Sequence, residues 1–351
     1  MASPNTPKSN LENTGGNHLL NRRNFIVASA AGTAGYIWHL MRGDHGAKDG
    51  HEKHSHAAEV LAAWEKEQPL FDAIESAGGF QQYIDNLSDE QRNEVFQLGE
   101  HEPGTKCACC VDEGIRAVMD PNGNKEKLCK EAGSGILPLG LGVDLKGHDP
   151  FQQAYIRLVA ERHNAADIDD ETFHEECGAA AVAFENLHGR KPSAAEAFDF
   201  TRRWTTAVFN ERRNLLTRQG QGKRAEKLGL RPIEFKTMQR PSGLHIPRVI
   251  YYGTPHDYES SLLPQGYGVD RADLPKSVAQ ANAKISKAIN FGSHGPGELF
   301  TPENPQLIVC VGNRVIPASQ LQNEATQAFS DDDDYKAGRV RVTGFDERES
   351  A

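Results

Sequence analysis

The sequence predicts an α/β fold, with a largely parallel sheet flanked by helices. Two patterns carry this expectation. Residues 248–252 and 307–311 are β-branched runs bounded by Gly or Pro, which read as strands, and the Cys-rich run 106–111 fits a further buried strand. Between and around them lie segments whose apolar residues recur at helical spacing. Helices alternating with short buried strands are the pattern of a parallel sheet, whose sites form at the carboxyl ends of the strands. The chain has 351 residues, of which 38% are hydrophobic and 25% charged. That is ordinary for a globular protein and enough for one large α/β domain or two small ones.

In chain order, residues 1–24 are polar and rich in Asn, Ser and Gly, and are expected to be disordered. Arg22 and Arg23 then precede a moderately apolar run, 25–41, that resembles a twin-arginine export signal. We read it as an uncleaved anchor, with the bulk of the chain outside the cytoplasm and membrane attachment through this segment. Residues 42–56 carry His45, His51, His54 and His56 and read as a solvated linker. The α/β domain is expected over 57–330. It begins with a helix at 57–66, and a second helix opens at Ser88, where Asp89 and Glu90 lie in the first turn. Residues 151–163 place Ala154, Tyr155, Leu158 and Val159 on one helical face. Ser193 and Glu196 form a capping box that opens a long helix, with Phe198, Trp204, Val208 and Leu215 facing inward. No internal repeat is visible. The acidic residues 331–334 open a solvated tail, 331–351, with an edge strand at 339–342.

A net charge of −10 excludes sequence-independent nucleic-acid binding, which needs clustered cations. Six cysteines are present, and Cys107, Cys109 and Cys110 fall within four positions. That crowding suits metal or redox chemistry better than a disulfide framework. Cys107 and Cys109 should share one face of their strand, with Cys110 on the other; Cys129 and Cys310 read as core. The second informative segment is His174-Glu175-Glu176-Cys177-Gly178. A His and a Cys three residues apart can bind one metal ion, with a third ligand from elsewhere in the chain. Two thiolates and one imidazole suit Zn²⁺ and leave a fourth position open. Glu113, Glu175 and Glu176 are read as solvent-facing or as supports for the His174 ring, and His163 and His188 as helix-face residues. His245, His256 and His294 lie in Gly/Pro-rich loops within possible reach of the site.

Cys110-Val111-Asp112 followed by His174-Glu175-Glu176-Cys177-Gly178 resembles the zinc signature of the β-class carbonic anhydrases, Cys-x-Asp and His-x-x-Cys-Gly, at a similar separation. Glu131-Ala132-Gly133-Ser134-Gly135 is similar to that family's Gly-rich segment after the second strand, and Gly178-Ala179-Ala180-Ala181 to the start of its next helix. The resemblance covers about residues 100–190. It implies a β-carbonic-anhydrase-like core with extra amino- and carboxyl-terminal elements, Zn²⁺ on Cys110, His174 and Cys177, CO₂ and bicarbonate as substrates, and a homo-oligomer. It also implies that Asp112 orients the zinc-bound hydroxide or ligates zinc in a closed state. The family pairs this Asp with an Arg two residues later, where this chain has Gly114; Arg116 is the nearby candidate for that catalytic partner. Two other classes of function stand beside this one. A non-hydrating protein would use the site for structural zinc, or Cys107, Cys109 and Cys110 for thiol or iron–sulfur redox chemistry. A binding protein without activity is the third, motivated by Gly114.

Overall fold

Among the described residues eight strands form two four-stranded sheets in the computed structural model, and every pairing within them is parallel. The structure describes residues 50–97, 106–115, 118, 126–136, 151–238, 240, 243–255, 258, 262–292 and 295–347. The α/β expectation holds, with two parallel sheets in place of one.

The first sheet has the order β2-β1-β3-β4, from β1 (Lys106–Cys109), β2 (Lys127–Lys130), β3 (Asp170–His174) and β4 (Gly229–Ile233). The second has the order β6-β5-β7-β8, from β5 (Val249–Gly253), β6 (Gly266–Asp270), β7 (Gln306–Gly312) and β8 (Val340–Asp346). Among the described residues three helices precede the first sheet: α1 (Gly50–Ala77), α2 (Phe80–Asn86) and α3 (Asp89–Gln97). The β2-to-β3 crossover carries α4 (Gln153–Ala165), and β3 to β4 runs through α5 (Gly178–His188), α6 (Ala194–Arg218) and α7 (Gly222–Lys227). In the second half, α8 (Lys276–Asn290) joins β6 to β7, while α9 (Ala318–Phe329) and α10 (Asp333–Lys336) join β7 to β8. The two halves therefore repeat one topology. The sequence hides this because parallel pairing asks only for buried apolar strands, which many sequences supply.

The first core lies between β1–β2 and the inner faces of α4, α5 and α6, and includes Cys107, Cys109, Val159, Phe200, Trp204 and Val208. Ala108 and Cys129, on the opposite face, join a second core with Ile250, Tyr252 and Ile308 of the second sheet and with α8 and α9. The other face of the second sheet packs on α1, α2 and α3 through Ile74, Phe80, Ile84 and Val95. Ser193 caps α6 with the expected reciprocal bonds to Glu196.

Several boundaries differ from those the sequence suggested. Helix α1 starts at Gly50, inside the segment read as a linker, and residues 25–41 lie outside the described residues. No helix among the described residues is long and apolar enough to cross a membrane. The acidic run is not merely solvated. Asp332 caps α10, and buried Asp334 is paired with Lys287 and Arg339, so this segment anchors the seven-residue edge strand β8.

The strand β3 is the least expected element, because Asp170 and Glu171 are poor strand formers. Both are buried, and each is neutralised by a cation reaching in from another element. Arg231 holds Asp170, while Arg212 and His163 hold Glu171. Gly229 makes room on the neighbouring strand, since a Cβ there would lie 1.7 Å from the Asp170 carboxylate. His163, read as an ordinary helix-face residue, is thus buried within an ion network.

Candidate metal centre

In each sheet the chain changes direction between the two central strands, and it is outside the carboxyl ends of such strands that sites form in parallel sheets. In the first sheet these strands are β1 and β3. Cys110 directly follows β1, and His174 ends β3. Because the strand stops at Cys109, its alternation does not extend to Cys110. Its side chain joins the same core as Cys107 and Cys109 rather than the opposite face.

After His174 the chain passes through Glu176 at φ 53°, a left-handed turn, and Cys177 becomes the residue that starts α5. This turn returns Cys177 toward Cys110, and their Sγ atoms lie 3.7 Å apart. The sulfurs of Cys110 and Cys177 and a ring nitrogen of His174 all lie within 4.8 Å of one another and are buried. The group could hold a metal ion. The His174 ring is oriented by its Nδ1, 2.6 Å from the carbonyl of Glu175, while its buried Nε2 has no hydrogen-bond partner. The support thus comes from a backbone carbonyl rather than a glutamate carboxylate, and it leaves the second nitrogen as a free electron-pair donor.

The Gly-rich segment acts on the same group. Gly133 N–H donates to Cys110 Sγ at 3.2 Å. Its φ of +56° aims that N–H, and a Cβ there would strike Ile136. Burial opposes a thiolate at Cys110, but Cys177 and His174 outweigh it and hold Cys110 well below the usual thiol range. The hydrogen bond to Cys110, together with burial, pushes the Cys177 thiol up. Cys107 and Cys109 stand apart from this group. Burial pushes the Cys107 thiol up, and its Sγ lies 3.9 Å from Thr172 Oγ1. Cys129 and Cys310 are buried core thiols, as expected.

Asp112 meets an arginine that no local spacing indicated. Its Oδ1 accepts from Gly114 N–H at 2.9 Å and from Arg240 Nε at 2.8 Å, and its Oδ2 accepts from Arg240 Nη2 at 3.0 Å. Arg240 also donates to the Glu176 carbonyl at 3.0 Å and to its carboxylate at 3.2 Å. Gly114 permits this approach, because a Cβ there would lie 2.9 Å from Arg240 Cγ. Burial would raise the Asp112 carboxyl, but Arg240, His174 and His245 outweigh it and hold it well below the usual carboxylate range. Arg116 lies outside the described residues.

Glu113, for which a solvent-facing and a supporting place were both open, is fully buried, and both its oxygens lie 2.9 Å from His245 Nδ1. Arg240 and His245 both come from the segment that leads into the second sheet. Sequence reasoning gave Arg240 no role, and Gly114 was its one trace: a glycine where the resemblance expects a bulky cation. Compared with protein-family models, with curated proteins and with solved structures, the chain finds no match.

Proposed function

We propose that Cys110, His174 and Cys177 bind Zn²⁺ and that the site catalyses the reversible hydration of CO₂ to bicarbonate, as the resemblance to β-class carbonic anhydrases implies. One observation supports this most: a buried Asp112–Arg240 ion pair stands beside a two-thiol, one-imidazole group. The donor set fits the ion. Zinc–sulfur bonds of about 2.3 Å in a tetrahedral site separate two sulfurs by roughly 3.8 Å, and here they are 3.7 Å apart. When bound, zinc supplies a Lewis acid that makes water nucleophilic at neutral pH.

The surrounding residues have separable tasks. Gly133 N–H and the first turn of α5 stabilise thiolate charge. Arg240 keeps Asp112 ionised and holds its carboxylate by two donors. Asp112 therefore accepts a hydrogen bond at neutral pH without taking the proton, which orients the donor. Ile285 and Ile289 of α8 belong to the core that contains Cys110 and Cys177, and their apolar side chains suit an uncharged substrate.

Stopped-flow CO₂ hydration with a pH indicator, on protein of measured zinc content, tests the proposal. Hydration that is lost in Cys110→Ser and His174→Ala together with the zinc supports it. Stoichiometric zinc without hydration in the unaltered protein overturns the enzymatic reading and leaves a structural site.

A further inference from the structure

Beneath the candidate metal centre five charged side chains alternate in sign: Arg162, Glu131, His163, Glu171 and Arg212. Arg162 Nε donates to Glu131 Oε1 at 3.2 Å, and that oxygen lies 3.4 Å from His163 Nε2. His163 Nδ1 is 2.7 Å from Glu171 Oε1, which also accepts from Arg212 Nη1 at 2.7 Å. Only Arg162, at 15%, keeps appreciable exposure. So buried a chain of charges is costly unless it fixes something.

Its two carboxylates lie on the two elements that form the centre. Glu131 opens the turn that carries Gly133, whose N–H meets Cys110. That turn holds three consecutive residues at positive φ, Gly133 (56°), Ser134 (55°) and Gly135 (85°). It folds back over its own first residue, so that a Cβ on Gly135 would lie 3.0 Å from Glu131 Oε2 and 3.1 Å from His163 Nε2. Glu171 lies on β3, the strand that ends in His174. His163, on α4, bridges the two. Burial opposes its charged form, but Glu171 and Glu131 outweigh it and raise its pKa.

We propose that Glu131 and His163 are positioning residues for the metal centre: they set the Gly133 turn against β3 and so fix the N–H donor on the Cys110 sulfur. The inference rests on the reading that Cys110, His174 and Cys177 bind a metal. Neither residue touches the ligands; both act through the turn. Hydrogen bonds to ligand atoms tune a metal's affinity and electronic character, typically by about 10- to 100-fold when lost.

Cobalt-substituted full-length protein tests this without reference to turnover. In Glu131→Gln and His163→Gln, the thiolate-to-cobalt charge-transfer band should shift, and metal release to a chelator should quicken by about 10- to 100-fold. Arg157→Gln, which breaks an exposed pair with Glu161 on the same helix, should change neither readout. Glu131→Asp keeps the charge, should give an intermediate spectrum, and carries the test if Glu131→Gln does not fold. Folded variants with the unaltered band and release rate overturn the inference. If the unaltered protein binds cobalt through thiolates but does not hydrate CO₂, the hydration reading falls and the positioning role stands. If it binds no cobalt, both fall.

Discussion

The two sheets share strand order, parallel pairing and crossover pattern, yet among the described residues only the first gathers a possible metal-binding group at its central carboxyl ends. After β1 and β3 the chain brings Cys110, His174 and Cys177 together. At the ends of β5 and β7 the backbone packs closely around two glycines. Gly253, at φ 128°, leaves no room for a Cβ, which would lie 2.3 Å from the Val311 carbonyl oxygen. Gly312 is as tight, with a Cβ position 2.0 Å from Ala318 N and 2.1 Å from Asp346 Oδ1. The topology supplies a switch point in both halves, and the residues at the strand ends decide what it carries. The second half still serves the first: Arg240 and His245 precede β5, and Asn282 of α8 accepts from Ala132 N–H at 2.8 Å.

The largest expected effect tests the asymmetry itself. Metal analysis should find one zinc per chain, and Cys110→Ser, His174→Ala or Cys177→Ser should each remove it and lower CO₂ hydration by about a thousandfold or more. Zinc retained in all three variants would break the comparison.

Arg240→Gln comes next. It leaves the buried Asp112 carboxylate without its cation, at a cost of roughly 3–5 kcal/mol in chemical denaturation, and should lower hydration with zinc retained. The pH dependence has a definite sign. Asp112 has a depressed folded pKa, so its stabilisation is present above the unfolded value of about 3.9 and lost as pH falls through the folded one. The deficit of the variant should therefore be full at neutral pH and shrink in acid.

Gly312→Ala probes the second half. Forcing a methyl group against Ala318 should destabilise by roughly 1–3 kcal/mol, while zinc content stays unchanged. A loss of zinc in that variant would show that packing in the second half supports the metal centre of the first. The smallest effect is at Ser193→Ala, where loss of the α6 cap should cost about 0.5–2 kcal/mol and leave metal content and hydration as they were.

Much of the fold was legible because burial and periodicity are local signals. The strands at β5 and β7, the helix α6 and its Ser193 cap sit where pattern and capping chemistry place them; α4 forms where expected but buries Ile156, Val159, Ala160 and His163, while Ala154 and Leu158 are exposed. The strand β3 was not legible, because its acidic residues become acceptable only when Arg212, Arg231 and His163 arrive from elsewhere. The Cys–His–Cys group was legible as residue types at a spacing. The partner of Asp112 was not, because Arg240 reaches it through space, over a glycine, from the segment between the two sheets.

By itself, then, the sequence determined the α/β class and nominated Cys110, His174 and Cys177, since hydrophobic pattern and ligand chemistry belong to the residues themselves. Only the tertiary structure decided that the topology occurs twice and that, among the described residues, one switch point alone carries the Cys–His–Cys group. It alone decided that Arg240 neutralises Asp112 and that a buried chain of alternating charges braces the turn over Cys110. Those are relations between distant segments, and Coulombic pairing and steric room depend on separation in space rather than along the chain.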